Sequence, residues 1–283
     1  MRNRIKDFAY FIHENPRMLL RIAEALDSDE SRFYRTKEEP KLNDQGQPII
    51  VNGQVATRKL LIPNSHLKHV QKKILTRVLY KLDLPKNFYG GVKGLDAVWN
   101  ARFHQGNKYI FQTDLKSFFP SISHTKVLKS LKAENFEFEV ASLITRLCTC
   151  KGELPQGCPT SSFLSALHLK HNAGSLFREL SKKGYKVSLY IDDITISSPV
   201  DFRDETSRII NSLREIGLKV NFDKTTYSSS STEITGVHVK NNAIYLSKNS
   251  HSKLSNPSIS KESKLGIIHR KEYLKHVSKT KRG

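Results

Sequence analysis

The chain has 283 residues, with 47 Lys or Arg against 27 Asp or Glu and a formal charge of +20 at pH 7, an excess that points to a polyanionic partner bound in a salt-dependent way. No run approaches the roughly 20 apolar residues of a membrane-spanning helix, and Asp7, His13, Glu14, Asn15 and Pro16 interrupt any signal-peptide core, so a cytoplasmic protein is expected. Three Cys without a CxxC pair suit reduced structural thiols rather than a disulfide framework.

Near the amino terminus, Phe8, Phe11, Ile12, Leu19, Leu20, Ile22, Ala23 and Leu26 predict helices broken near Pro16. Gly46, Pro48 and Gly53 mark a loop or hairpin before Thr57-Arg58-Lys59-Leu60-Leu61-Ile62-Pro63. Leu67, Val70, Ile74, Leu75, Val78 and Leu79 recur at helical spacing and lead to a glycine-rich turn at Gly90, Gly91 and Gly94. A helix over 95–105 sets Asn100 and His104 on one face. Without a Cys or second His at ligand spacing, they read as a buried, hydrogen-bonded pair rather than metal ligands.

An aromatic and β-branched strand over 109–114 ends in Asp114, and Phe118 and Phe119 follow it. A helical insertion near 124–150 leads to Leu154-Pro155-Gln156-Gly157-Cys158-Pro159-Thr160-Ser161-Ser162, a glycine loop feeding a helix. That helix runs through Phe163, Leu164, Leu167, Ala173, Leu176, Phe177 and Leu180 and closes near Gly184. Gly157 lets backbone come close to a ligand, Pro159 suits a first helical turn, and the helix amino terminus favours anions.

Residues 187–190 and 194–198 alternate apolar and small polar side chains, as two strands do when joined by a tight turn at Tyr190-Ile191-Asp192-Asp193. An ordinary surface turn also favours Asp, which bonds its own backbone there. Asp114 adds a third acid on a neighbouring strand. Nucleotidyl transfer works best with two divalent ions about 4 Å apart, and magnesium prefers carboxylate and phosphate oxygen. Three Asp on adjacent strands suit such a pair.

Residues 248–283 hold ten Lys or Arg and two Glu. Leu265, Ile267, Ile268, Tyr273, Leu274 and Val277 form an imperfect helical stripe beside Lys264, Arg270, Lys271 and Lys275, which reads as a small thumb. The Ser-rich and Asn-rich stretch 247–263 leaves a disordered basic tail as the other reading. Few large apolar anchors argue against a membrane surface.

TDLKSFFPSI, LPQGCPTSS, YIDD and GLKVNFDKT resemble, in that order, motifs A, B, C and D of reverse transcriptases, over about residues 33–239. Asn100-Ala101-Arg102-Phe103-His104 is similar to the NAxxH signature of retron reverse transcriptases. Ile234-Thr235-Gly236 is similar to their VTG signature, with Ile in place of Val. The resemblance implies an α+β fold of right-hand polymerase architecture. Residues 1–106 would be amino-terminal helices and fingers with the NAxxH region, and 107–240 a palm with an antiparallel sheet, interrupted by a fingers insertion at about 124–150. Residues 241–283 would be a short basic thumb or RNA-binding tail.

It further implies that Asp114, Asp192 and Asp193 bind two Mg2+ ions, and that Gln156, Gly157 and Tyr190 belong to the substrate-binding set. Arg58 would grip the triphosphate, Phe119 would crowd the 2′ carbon and select deoxynucleotides, and Lys224 would protonate departing pyrophosphate. A core ring for Phe119 and a solvated strand lysine for Lys224 are the plain alternatives. Asn100, His104, Thr235 and Gly236 would mark the retron group and a role in binding its structured RNA. The implied activity copies part of a cognate structured non-coding RNA, using deoxynucleotide triphosphates and a 2′-hydroxyl guanosine primer. The product is branched multicopy single-stranded DNA, and the setting is antiphage defence with an effector protein encoded nearby. Another defence-associated reverse transcriptase should lack the NAxxH and VTG-like pair. A group II-like enzyme would carry a longer thumb, for which this chain ends too soon. An inactive RNA-binding scaffold is opposed by intact Asp114, Asp192, Asp193 and Gln156.

Overall fold

The computed structural model describes residues 4–43, 47–240, 243–256 and 259–279, so the Gly46 expected in a loop before Arg58 lies outside the described residues. Two compact units share the chain: residues 1–84 with 117–172, and 85–116 with 173–283.

In the first unit, helices Arg4–Phe11 and Pro16–Ser28 are broken where expected. The Asn15 side chain accepts from the Arg17 and Met18 amides at 2.9 and 3.3 Å, and Pro16 starts the second helix where its missing N–H costs nothing. Strands Tyr34–Pro40 and Thr57–Pro63 pair antiparallel. Between them a two-residue hairpin turns at Asn52 and Gly53, both at positive φ, as an Asn-Gly turn requires. Helix Ser65–Arg77 buries Leu67, Val70, Gln71 and Ile74. The insertion expected near 124–150 is two helices, His124–Ala133 and Phe138–Cys148. Cys148, Cys150 and Cys158 are buried and unbridged.

The second unit is built on a four-stranded antiparallel sheet in the spatial order Lys186–Tyr190, Asp193–Ser198, Tyr109–Leu115, Val220–Ser228. A smaller sheet stacks Thr232–Ile234, Val237–Val239 and Ile244–Leu246. Its inner side chains join Val98, Ala101, Ile110, Leu274 and Val277 in one core. Each large aliphatic buried there contributes about 1.5–3 kcal/mol.

Three expectations shift. The helix expected over 95–105 is only Ala97–Phe103, and its start is fixed by the Asp96 carboxylate, which accepts from the Val98 and Trp99 amides. The single helix expected through Leu180 splits into Ser161–Asn172 and Gly174–Lys182, at a glycine that weakens a helix interior by about 1 kcal/mol. The basic carboxyl-terminal region is helical over Lys248–Ser255 and Lys261–Lys279, but only part of its apolar stripe is covered: Leu274 and Val277 are buried while Leu265 and Ile268 are exposed. Among the described residues, no helix is long and apolar enough to cross a membrane.

Candidate active site

The Tyr190–Asp193 turn is a two-residue hairpin in which Tyr190 pairs with Asp193 and Ile191 takes φ 61°, a conformation costly for a β-branched residue unless its surroundings impose it. They do so through Gly90. A Cβ placed on Gly90 would meet the Ile191 amide nitrogen at 2.2 Å and the Tyr190 carbonyl carbon at 2.9 Å, so only glycine lets these backbones touch. The preceding residues run beside the hairpin: the Tyr89 amide donates to the Leu189 carbonyl at 2.8 Å, the Leu189 amide to the Asn87 carbonyl at 3.0 Å, and the Asn87 side chain to the Val187 carbonyl at 2.8 Å. From the sequence the glycine-rich turn was visible, but this contact was not.

Register completes the cluster. Asp114 pairs directly with Asp193 across the sheet, and the Leu115 amide donates to the Asp192 carbonyl at 3.0 Å. One carboxylate oxygen each from Asp114, Asp192 and Asp193 lies within 4.8 Å of the others. Burial first, then the neighbouring carboxylates, push the Asp192 and Asp193 carboxyls well above the usual range. Three hard oxygen donors that repel one another in a half-buried site fit a divalent cation, which would relieve that repulsion.

The far side of Asp114 is set by an irregularity. Between Gln112 and Asp114 the register with strand Val220–Ser228 jumps from Thr226 to Asn221, so residues 222–225 bulge. The bulge brings Lys224 Nζ to 3.3 Å from Asp114 Oδ1, and Asn221 Nδ2 donates to Asp114 Oδ2 at 3.1 Å. Lys224 is largely exposed, an ion pair worth little in the folded state and free to change partners. Asn221 was not singled out in the sequence, and only its place opposite Asp114 reveals it.

Asn100 and His104 are both fully buried but do not bond each other. His104 Nδ1 and Nε2 lie 2.7 and 2.6 Å from the hydroxyls of Ser197 and Ser188, one on each strand of the aspartate hairpin. Asn100 Nδ2 donates to Thr235 Oγ1 at 3.4 Å, and that hydroxyl donates to the Ala97 carbonyl at 3.2 Å. Thr235 and Gly236, at φ 46° and 76°, form the tight turn of the smaller sheet. Thr235 borders a cavity of about 150 Å³ with Asp114, Asp193 and Lys224. One short helix therefore braces both the acidic hairpin and the turn beside it.

Burial, with the Lys186 ammonium nearby, pushes the His104 imidazole down to about 3. The unfolded imidazole titrates near 6.5. Between those values the unfolded chain binds a proton that the folded one refuses, so stability falls as pH drops below about 6.5, by up to about 1.4 kcal/mol per pH unit. Urea titrations at about pH 7 and about pH 5 should show His104→Asn less stable at the higher pH and flatter between the two. A variant with the wild-type pH slope would remove His104 as its origin.

The remaining candidates lie in the first unit. Arg58 is half exposed and pairs with Glu39 across the strand ribbon at 2.9 Å. Lys37, then Arg58, hold the Glu39 carboxyl below its ordinary range. The Leu61 amide donates to the Gln156 carbonyl at 2.8 Å. Gly157, at φ 115°, would bring a Cβ to 3.1 Å from the Leu61 carbonyl oxygen, so it too is a close backbone approach. Phe118 is buried, and Phe119 is half-buried with its ring centroid 5.7 Å from that of Phe118.

Residues 50–239 match the family model described as reverse transcriptase (RNA-dependent DNA polymerase). The chain belongs to that family. This reverse transcriptase is 32% identical over 202 residues to the Retron Se72 reverse transcriptase of Salmonella heidelberg, an alignment covering 68% of this chain and 53% of that one. It is 28% identical over 204 residues to the Retron Ec86 reverse transcriptase of Escherichia coli, covering 70% and 63%. The resemblance to retron reverse transcriptases is thereby borne out, although the chain spans only about half to two thirds the length of these relatives. Apo telomerase from Candida Tropicalis shares the fold at 11% identity, with a TM-score of 0.51 over 85% of this chain and 52% of that one.

Proposed function

We propose that this reverse transcriptase is the polymerase of a retron. It copies part of a cognate structured non-coding RNA into DNA from a guanosine 2′-hydroxyl and yields branched multicopy single-stranded DNA in an antiphage system with an effector protein. The observation that carries the chemistry is the convergence of Asp114, Asp192 and Asp193 within 4.8 Å. A pair of Mg2+ ions held there would activate the attacking hydroxyl and offset the charge of the triphosphate. Lys224, exposed and beside Asp114, is suited to hold a proton for departing pyrophosphate. The Arg58 guanidinium offers forked donors to the triphosphate in exchange for its exposed Glu39 pair, and Gln156, Gly157 and Tyr190 complete the nucleotide set. On this reading residues 1–106 carry the fingers, 107–240 the palm with its insertion, and 241–283 the thumb.

Retron membership is supported by the relatives named above and by the meeting of Asn100 with Thr235. The test is to sequence nucleic acid that co-purifies with the protein. RNA joined to DNA through a 2′,5′ linkage is expected, and recovery of only linear or untemplated DNA would reject the retron reading.

Phe119 is half-buried beside a fully packed Phe118, which leaves its ring free to act as a gate against the 2′-hydroxyl. Phe119→Ala should therefore lower discrimination against ribonucleotides by at least about tenfold in single-nucleotide extension. Unchanged sugar selectivity would make it a plain core ring.

A further inference from the structure

We propose that the outward face of the Thr232–Ile234, Val237–Val239 and Ile244–Leu246 sheet is a stacking platform for single-stranded RNA, distinct from the aspartate cluster. The proposal rests on the reading that this chain handles RNA. Alternation along the strands sends Ile234, Val237, Val239, Ile244 and Leu246 into the core. The register then lines up Glu233, His238 and Tyr245 on the opposite face, with His238 directly across from both of the others. Side chains so opposed sit about 5 Å apart at Cβ, which places an imidazole and a phenol at neighbouring positions of one face. Tyr245 is 47% exposed, so its ring offers a flat surface to a ligand.

The charges around these rings suit a nucleic-acid strand. Lys240 Nζ lies 5.6 Å over the Tyr245 ring. Burial, followed by the ammonium groups of Lys240 and Lys248, pushes the His238 imidazole below its ordinary value. Beside Tyr245 opens a cleft of about 470 Å³ bordered by Lys108, Lys240 and Ser229, Ser230 and Ser231. Lysines that neutralise phosphates, interleaved with aromatic faces that stack on bases, are what sequence-tolerant strand binding needs. The three serine hydroxyls add donors and acceptors for a ribose 2′-hydroxyl, the group that separates RNA from DNA.

The test uses the full chain and a fluorescein-labelled oligouridine in anisotropy titrations. Base stacking on an aromatic is worth enough that Tyr245→Ala should weaken binding about tenfold, while Tyr245→Phe, which keeps the ring, should bind as wild type does. Lys240→Ala should weaken binding and lower the slope of log affinity against log salt by about one. Oligouridine carrying 4-thiouridine should crosslink to the peptide holding His238 or Tyr245. Wild-type affinity in Tyr245→Ala overturns the proposal, as does oligodeoxyuridine binding as tightly as oligouridine. A wild-type chain that incorporates no deoxynucleotide yet keeps Tyr245-dependent RNA binding would sink the polymerase reading and leave the platform standing.

Discussion

Asp192→Asn is expected to abolish deoxynucleotide incorporation, by on the order of a thousandfold or more, while RNA binding stays close to wild type. Changing only the outer partners of a metal ligand typically costs ten- to a hundredfold, so losing a ligand itself should cost more. The substitution keeps shape. The Asp192 backbone carbonyl still accepts from the Leu115 amide, and the neighbouring hairpin bonds are main-chain. It also removes one of three carboxylates that lie within 4.8 Å of one another, so in a chelating buffer the variant should melt no lower than wild type, an instance of stability being traded for function. Labelled-nucleotide extension on an RNA template, with anisotropy for binding, checks both halves. Equal incorporation by the variant would remove Asp192 from the chemistry, and a collapse of binding would recast it as structural.

Why the acids were legible and their supports were not follows from range. Period-two alternation on either side of Tyr190-Ile191-Asp192-Asp193 is a local signal, and it forces a hairpin with the acids at its tip. That Asp114 would lie beside the hairpin needed only the assumption of neighbouring strands, whereas its pairing with Asp193 is a matter of register. The bulge at 222–225 leaves no such local trace, although it puts Lys224 beside Asp114. Nor does the link between Asn100 and Thr235, separated by 135 positions. The helix over Ala97–Phe103 starts later than its periodicity predicts because its cap is a side chain, Asp96, whose choice of a backbone partner over solvent is made in three dimensions. The Glu39 partner of Arg58 was likewise invisible, since it depends on strand register.

The second large effect is expected at a residue with no chemistry of its own. Gly90→Ala should reduce incorporation by at least about a hundredfold and destabilise the fold by roughly 1–3 kcal/mol, the usual cost of overpacking. The added methyl meets backbone at 2.2 and 2.9 Å, on the Ile191 nitrogen and the Tyr190 carbonyl carbon, and backbone cannot swing aside as a side-chain tip can. What yields must be the turn that holds Asp192 and Asp193, or the segment bonded alongside it through Tyr89 and Asn87. Displacing a reacting group by about 1 Å is enough for a hundredfold loss. Gly94→Ala is the control. No atom lies within 4 Å of its added Cβ, but its φ is +77°, so the cost there is backbone strain of about 1 kcal/mol, with no clash against the hairpin. Extension assays and urea melts on both variants separate the two causes: Gly94→Ala should lose stability and keep its turnover, and Gly90→Ala should lose both. Equal turnover in the two variants would mean that the hairpin's position does not depend on the Gly90 contact.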